Sequence, residues 1–201
     1  KGTPRGHVTY VHGGPTWHSE DWTNPKIQFW LSCGYSVLDP NYRGSTGRGM
    51  AWRKRVKEDG WGGREQADIR AGTEAVIALG LAQPGRIAVA GNSYGGFSSW
   101  YAITRHADLV NAAIPMCGMY KLDIDYNETE MPWGKSYSEE MMGGSPEDMP
   151  EKYANASPGN FVDNIKGRVM VVHGLADTNV GPANTHVAVQ DMREKGINHT
   201  V

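Results

Sequence analysis

Arg86–Ala90 (RIAVA) is a short, largely apolar run that leads directly into Gly91-Asn92-Ser93-Tyr94-Gly95-Gly96. A run this short with Ile and Val reads as a buried strand. The small residues two positions either side of Ser93 permit a tight, strained turn. Phe97–Thr104 then continues as a helix. Strand, sharp turn and helix in this order form a βα unit. Such a unit confines the chain to folds in which parallel strands alternate with covering helices.

The rest of the chain repeats the alternation. His7–His12 (HVTYVH) alternates apolar and polar residues and reads as a strand. Pro25–Cys33 reads as a helix with Pro in its first turn and Gly34 past its end. Tyr35–Asp39 is a second strand, and the glycine-rich Asn41–Gly49 is loop. Ala67–Leu79 has helical spacing and stops at Gly80. Leu109–Met116 and Arg168–His173 read as further strands, and Pro182–Lys195 as a helix ended by Gly196. Tyr120–Pro158, polar and broken by Gly and Pro, reads as an insertion of short helices and loops, and Asn198–Val201 begins another extended segment. The pattern predicts a mostly parallel sheet with helices on both faces, its reactive groups in loops at the carboxyl ends of strands.

The 201 residues suffice for one domain with a real core, and residues 1–201 read as a single catalytic domain. A formal net charge of −2 gives no basic excess for nucleic acid, and no basic face or 20-residue apolar run points to a membrane. Cys33 and Cys117 are the only cysteines, too few for a disulfide framework, and no CxxC spacing suggests a zinc site. Both read as buried thiols, which fits a reducing, cytoplasmic setting.

Gly91–Gly95 fits G-x-S-x-G with a strand before it and a helix after it, which makes Ser93 the candidate nucleophile. A serine hydroxyl needs a base, normally His, oriented by a carboxylate. Asp177 follows the strand Arg168–His173 and lies after Ser93 in the chain order this turn requires. A developing oxyanion needs N–H donors. One comes from Tyr94, after the nucleophile, and another from the loop His12-Gly13-Gly14-Pro15 after the first strand.

HGGP at His12–Pro15, NYRGSTGRG at Asn41–Gly49, GNSYGG at Gly91–Gly96 and HGLADTNV at His173–Val180 occur in this order. With MGGSPED at Met142–Asp148 and NASP at Asn155–Pro158, they cover nearly the whole chain. The chain resembles the catalytic domain of the prolyl oligopeptidase family, closest to its acylaminoacyl-peptidase and dipeptidyl-peptidase branches. The resemblance implies an α/β-hydrolase fold. It also implies a serine peptidase acting on short peptides or acyl-peptides without metal or organic cofactor. Ser93 and Asp177 would be triad members, with the Gly14 and Tyr94 N–H groups as oxyanion hole. Asn179 and Val180 would face substrate, and Met116, Met119 and Tyr120 would lie near the pocket for the residue before the scissile bond. Arg48 stands where the family often has an aromatic residue.

The third triad member is not evident. His186 falls inside a predicted helix and His199 at the start of the last extended segment, and neither matches the family's histidine motif. The expectation is that the chain stops short of that histidine and also lacks the family's N-terminal β-propeller. His173 reads as part of a structural turn. Asp123, Asp125, Glu128 and Glu130 lack the glycine and spacing of a calcium loop and read as a solvated acidic loop. The same machinery would serve a carboxylesterase, and a chain without its base could instead be a non-catalytic fragment.

Overall fold

A computed structural model describes residues 3–201. Its strands are β1 (His7–Val11), β2 (Ser36–Leu38), β3 (Ile87–Asn92), β4 (Ala112–Met116), β5 (Arg168–Met170) and β6 (His199–Thr200). They form one parallel sheet in the order β2-β1-β3-β4-β5-β6. The helices are α1 (Pro25–Ser32), α2 (Met50–Asp59), α3 (Arg64–Ala78), α4 (Tyr94–Arg105), α5 (Leu122–Glu128), α6 (Gly134–Met142), α7 (Pro150–Ala156) and α8 (Ala183–Glu194). A 3₁₀ segment spans Pro158–Asn164. This is the α/β-hydrolase arrangement that the sequence predicts.

The period of two along the strands splits the core between the two sheet faces. Val8, Tyr10 and Ala90 form the smaller cluster, packed against Ile27 and Trp30 of α1. Val11, Val89 and Ala113 belong to the larger cluster on the other face. There α4 is buried from Tyr94 to Thr104, with Phe97, Trp100 and Ile103 wholly removed from solvent. α1 starts where predicted: Pro25 opens it, and the Asn24 side chain accepts the Lys26 N–H at 3.0 Å.

Topology selects the site. From β1 the chain passes to β2 at one edge, then crosses back to place β3 on the other side of β1. The loops after β1 and β3 therefore diverge, and a crevice opens between them at the carboxyl ends of the strands. Gly13 and Ser93 lie in those two loops.

Of the expected strands, two are shortened by three residues each. Leu109 and Val110 both donate to His106 O in a turn, so β4 begins only at Ala112. β5 ends at Met170, although Val172 still bridges to Met116. α2 is an element the sequence pattern does not announce.

Candidate active site

The Ser93 turn is built by close approach. A Cβ on Gly95 would lie 2.0 Å from Val11 O, and one on Gly91 2.3 Å from the same atom. Only glycine lets the start of α4 sit this tightly on the end of β1. Ser93 has φ 57° and ψ −122°, a conformation that costs a non-glycine residue of order 1–3 kcal/mol. Neighbours hold it there: its N–H donates to Met116 O at 3.0 Å, and its carbonyl accepts the Phe97 N–H at 3.0 Å. Tyr94, the first residue of α4, has its ring buried against Tyr42, Trp61 and Phe97. Its hydroxyl donates to the buried Glu65 at 2.9 Å.

The loop after β1 is fixed from below. The His12 ring stacks on Tyr42 with centroids 4.5 Å apart. Its Nδ1–H donates to Gly13 O at 2.7 Å, which leaves Nε2 to accept the Ser45 hydroxyl at 2.9 Å. Burial lowers the His12 pKa, in keeping with a neutral ring that both donates and accepts. The Tyr42 hydroxyl donates to His12 O at 3.0 Å. Ser45 belongs to the Asn41–Gly49 loop, which Arg43 anchors by a two-pronged pair with Asp68 at 2.7 and 2.6 Å. Gly14, at φ 122°, presents exposed backbone beside Ser93. A Cβ there would meet Thr16 N at 2.6 Å.

Asp177 lies in the loop after β5. Its Oδ1 accepts the N–H groups of Asn179 at 2.9 Å and Val180 at 3.1 Å, which curls the loop around the carboxylate. His173 has a structural part in that loop, as predicted. Its Nε2–H donates to Val180 O at 2.9 Å, and its Nδ1 accepts the Thr185 hydroxyl at 2.6 Å. Asp177 Oδ2 stands 3.7 Å from His173 Nε2, too long for a hydrogen bond.

Two cavities meet at Ser93. A cleft of about 610 Å³ is lined by Gly13, Gly14, Trp17, His18, Trp22 and Ser93. A side cavity of about 70 Å³ is also lined by Gly14 and Ser93, together with Trp61, Met119, Asp125, Trp133, Tyr137, Asn179 and Val180. Of the residues assigned to substrate, Met119, Asn179 and Val180 border the side cavity. Met116 and Tyr120 are not in that lining. Met116 ends β4 and packs with the smaller core cluster. Tyr120 is fully buried against Trp100, its hydroxyl donating to Asp191 at 3.1 Å.

Several residues stand differently from the sequence reading. Asp125 is not in a solvated loop: it is 7% exposed on α5, whereas Asp123, Glu128 and Glu130 are exposed. Its three-residue spacing from the buried Leu122 puts the two on one helix face, a pattern visible only once 122–128 is read as helix. Both cysteines are free and half-buried rather than buried. Cys117, at φ 40°, lies against the Ser93 backbone N–H, near enough to Asp177 for burial and that charge to raise its pKa. Among the described residues no group of three metal-ligating side chains occurs, and no helix is long and apolar enough to cross a membrane.

Among the described residues no histidine is hydrogen-bonded to Ser93. His18 pairs with Thr46 and Glu20, and the His199 Nδ1–H donates to Ile197 O at 2.7 Å. His186 lies in α8, on a separate cavity lined by Leu175 and Val201.

The sequence profile of the prolyl oligopeptidase family matches residues 21–201. Dipeptidyl-peptidase 5 of Porphyromonas endodontalis is 29% identical over 198 residues, covering 94% of this chain and 28% of that protein. The acylamino-acid-releasing enzyme of Arabidopsis thaliana is 29% identical over 198 residues, covering 94% of this chain and 25% of that protein. A puromycin-hydrolyzing peptidase of Mycobacterium tuberculosis superposes with a TM-score of 0.92 at 30% identity, covering 100% of this chain and 30% of its own. The Pyrococcus horikoshii acylaminoacyl peptidase gives 0.91 at 25% identity, over 100% of this chain and 32% of its own. The chain thus spans between a quarter and a third of the length of these four proteins. By the extent of the profile match, this chain is a member of the prolyl oligopeptidase family.

Proposed function

We propose that residues 1–201 form the hydrolase domain of a serine peptidase that cleaves peptide or acyl-peptide bonds through an acyl-enzyme on Ser93. The observation that carries this reading is the strained Ser93 turn at the topological switch point, bordered by Gly14 and by two cavities.

In this reading the Ser93 hydroxyl attacks the substrate carbonyl. The N–H groups of Gly14 and Tyr94 take the developing negative charge, the Tyr94 donor lying at the N-terminus of α4. A histidine removes the serine proton and returns it to the leaving amine, and Asp177 orients that histidine. Water then attacks the acyl-enzyme by the same route. We assign the histidine to a part of the full-length protein outside the described residues, since none of those within them bonds to Ser93. Met119, Asn179 and Val180 border the substrate, and short peptides are its class. The mechanism requires no metal or cofactor. Two unpaired cysteines support a reducing, cytoplasmic location.

The test is a panel of amino-acid and acyl-peptide anilides against short-chain nitrophenyl esters, run on the full-length protein and its Ser93→Ala variant. Hydrolysis of the anilides that disappears in the variant is expected. Activity confined to esters would instead make the protein a carboxylesterase.

A further inference from the structure

Asp125 is a buried carboxylate that the proposed reaction does not use. Its Oδ1 has no hydrogen-bond partner. Burial first, and then the field of Asp177, push its carboxyl up to about 7, with no cation contributing. An unpaired buried carboxylate is costly, so its presence calls for an explanation. Trp61, which lines the same cavity, also keeps a buried Nε1–H without a partner.

The cavity around Asp125 holds about 70 Å³ and is bordered by Gly14 and Ser93 at one side and by Trp61, Trp133 and Tyr137 as aromatic walls. That space leaves room for at most a single side chain, not a length of peptide. Because the attacking serine and a proposed oxyanion donor border it, the side chain that enters belongs to the residue whose carbonyl is attacked. Aromatic walls suit an aliphatic stem and the face of a cation alike. The acid supplies what an apolar pocket would not: an acceptor, unsatisfied until substrate arrives.

We propose that this cavity selects a substrate residue whose unbranched side chain ends in an N–H donor, an ammonium or a primary amide, and that Asp125 is its acceptor. The proposal rests on the reading of Ser93 as nucleophile. It makes Asp125 a specificity-determining residue that contacts substrate away from the reacting atoms. A hydrogen bond between a cationic donor and a carboxylate is among the stronger kinds. An apolar side chain of the same length would leave the acid buried and unpaired.

Binding tests this without turnover. In the full-length Ser93→Ala protein, calorimetry would compare acetyl-alanyl-X-amides with X as lysine, glutamine or norleucine. Lysine and glutamine should bind about tenfold or more tightly than norleucine. Asp125→Asn in the same background should bring the lysine-to-norleucine ratio to about one. Norleucine binding as well as lysine and glutamine, no binding by any of the three, or a lysine advantage that survives Asp125→Asn would each overturn the proposal. A melting curve checks that Asp125→Asn is folded, and where it is not, the ratios with Asp125 intact decide alone. Hydrolysis that persists in Ser93→Ala would sink the nucleophile assignment but leave these ratios readable.

Discussion

Replacing Gly95 with alanine tests how the fold builds the site. The new Cβ would sit 2.0 Å from Val11 O and 2.9 Å from Val11 C, both backbone atoms that cannot rotate away. Contact needs about 3.5 Å, so the start of α4 must retreat from the end of β1 by about 1 Å or more. Overpacking of this kind costs about 1–3 kcal/mol, or about 2–12 °C in Tm for a domain of this size. The larger effect falls on chemistry. Ser93 and Tyr94 ride on α4 while Gly14 follows β1, so the retreat separates both from the proposed Gly14 oxyanion donor, and a displacement of about 1 Å costs about 10²-fold in turnover. The assay is kcat/KM together with a thermal melt on the full-length protein, with Gly72→Ala as control. Gly72 lies within α3, where an added Cβ meets only the tip of Leu38 at 3.1 Å. The control should keep its activity and melt near the parent, with helix propensity in its favour by about 1 kcal/mol. Gly95→Ala with parental turnover and Tm would refute the close-approach argument.

Two further predictions use other parts of the molecule. Asp177→Asn keeps the size of the side chain but favours the wrong histidine tautomer, so turnover should fall by about 10⁴-fold in steady-state assays; near-normal turnover would assign the triad carboxylate elsewhere. His7, 1% exposed and bonded to Ser36 and Thr9, has its pKa lowered by burial to about 4 from 6.5. Its folded pKa is depressed, so the unfolded chain binds the proton first: stability is full above about pH 6.5 and declines as pH falls toward 4, by up to about 3 kcal/mol. Denaturant titrations at pH 7, 5.5 and 4.5 should show a decline that His7→Gln reduces, and stability flat over that range would contradict it.

The sheet and the Ser93 turn are legible in the sequence because they use strong local signals. β3 is short, apolar and closed by glycines, and Gly91 and Gly95 stand where no Cβ fits. α2 is not legible, because MAWRKRVKED buries only Val56 and so has no apolar stripe to read. Asp125 is misread for the opposite reason: acidic neighbours imply solvent, while the fold turns it inward beside Trp61 and Tyr137. The anchoring of the Gly13–Gly14 loop by His12, Tyr42, Ser45 and Arg43–Asp68 depends on residues up to 56 positions apart, from His12 to Asp68, which no local pattern encodes. The family resemblance marks the segments that take part, but not the bonds among them.

The central claim is that Ser93 is an activated nucleophile. It is tested most directly by treating the full-length protein with a fluorophosphonate and locating the adduct by peptide mass spectrometry. The account predicts a single adduct on Ser93, absent from Ser93→Ala. An adduct on another residue, or labelling undiminished in Ser93→Ala, would contradict it.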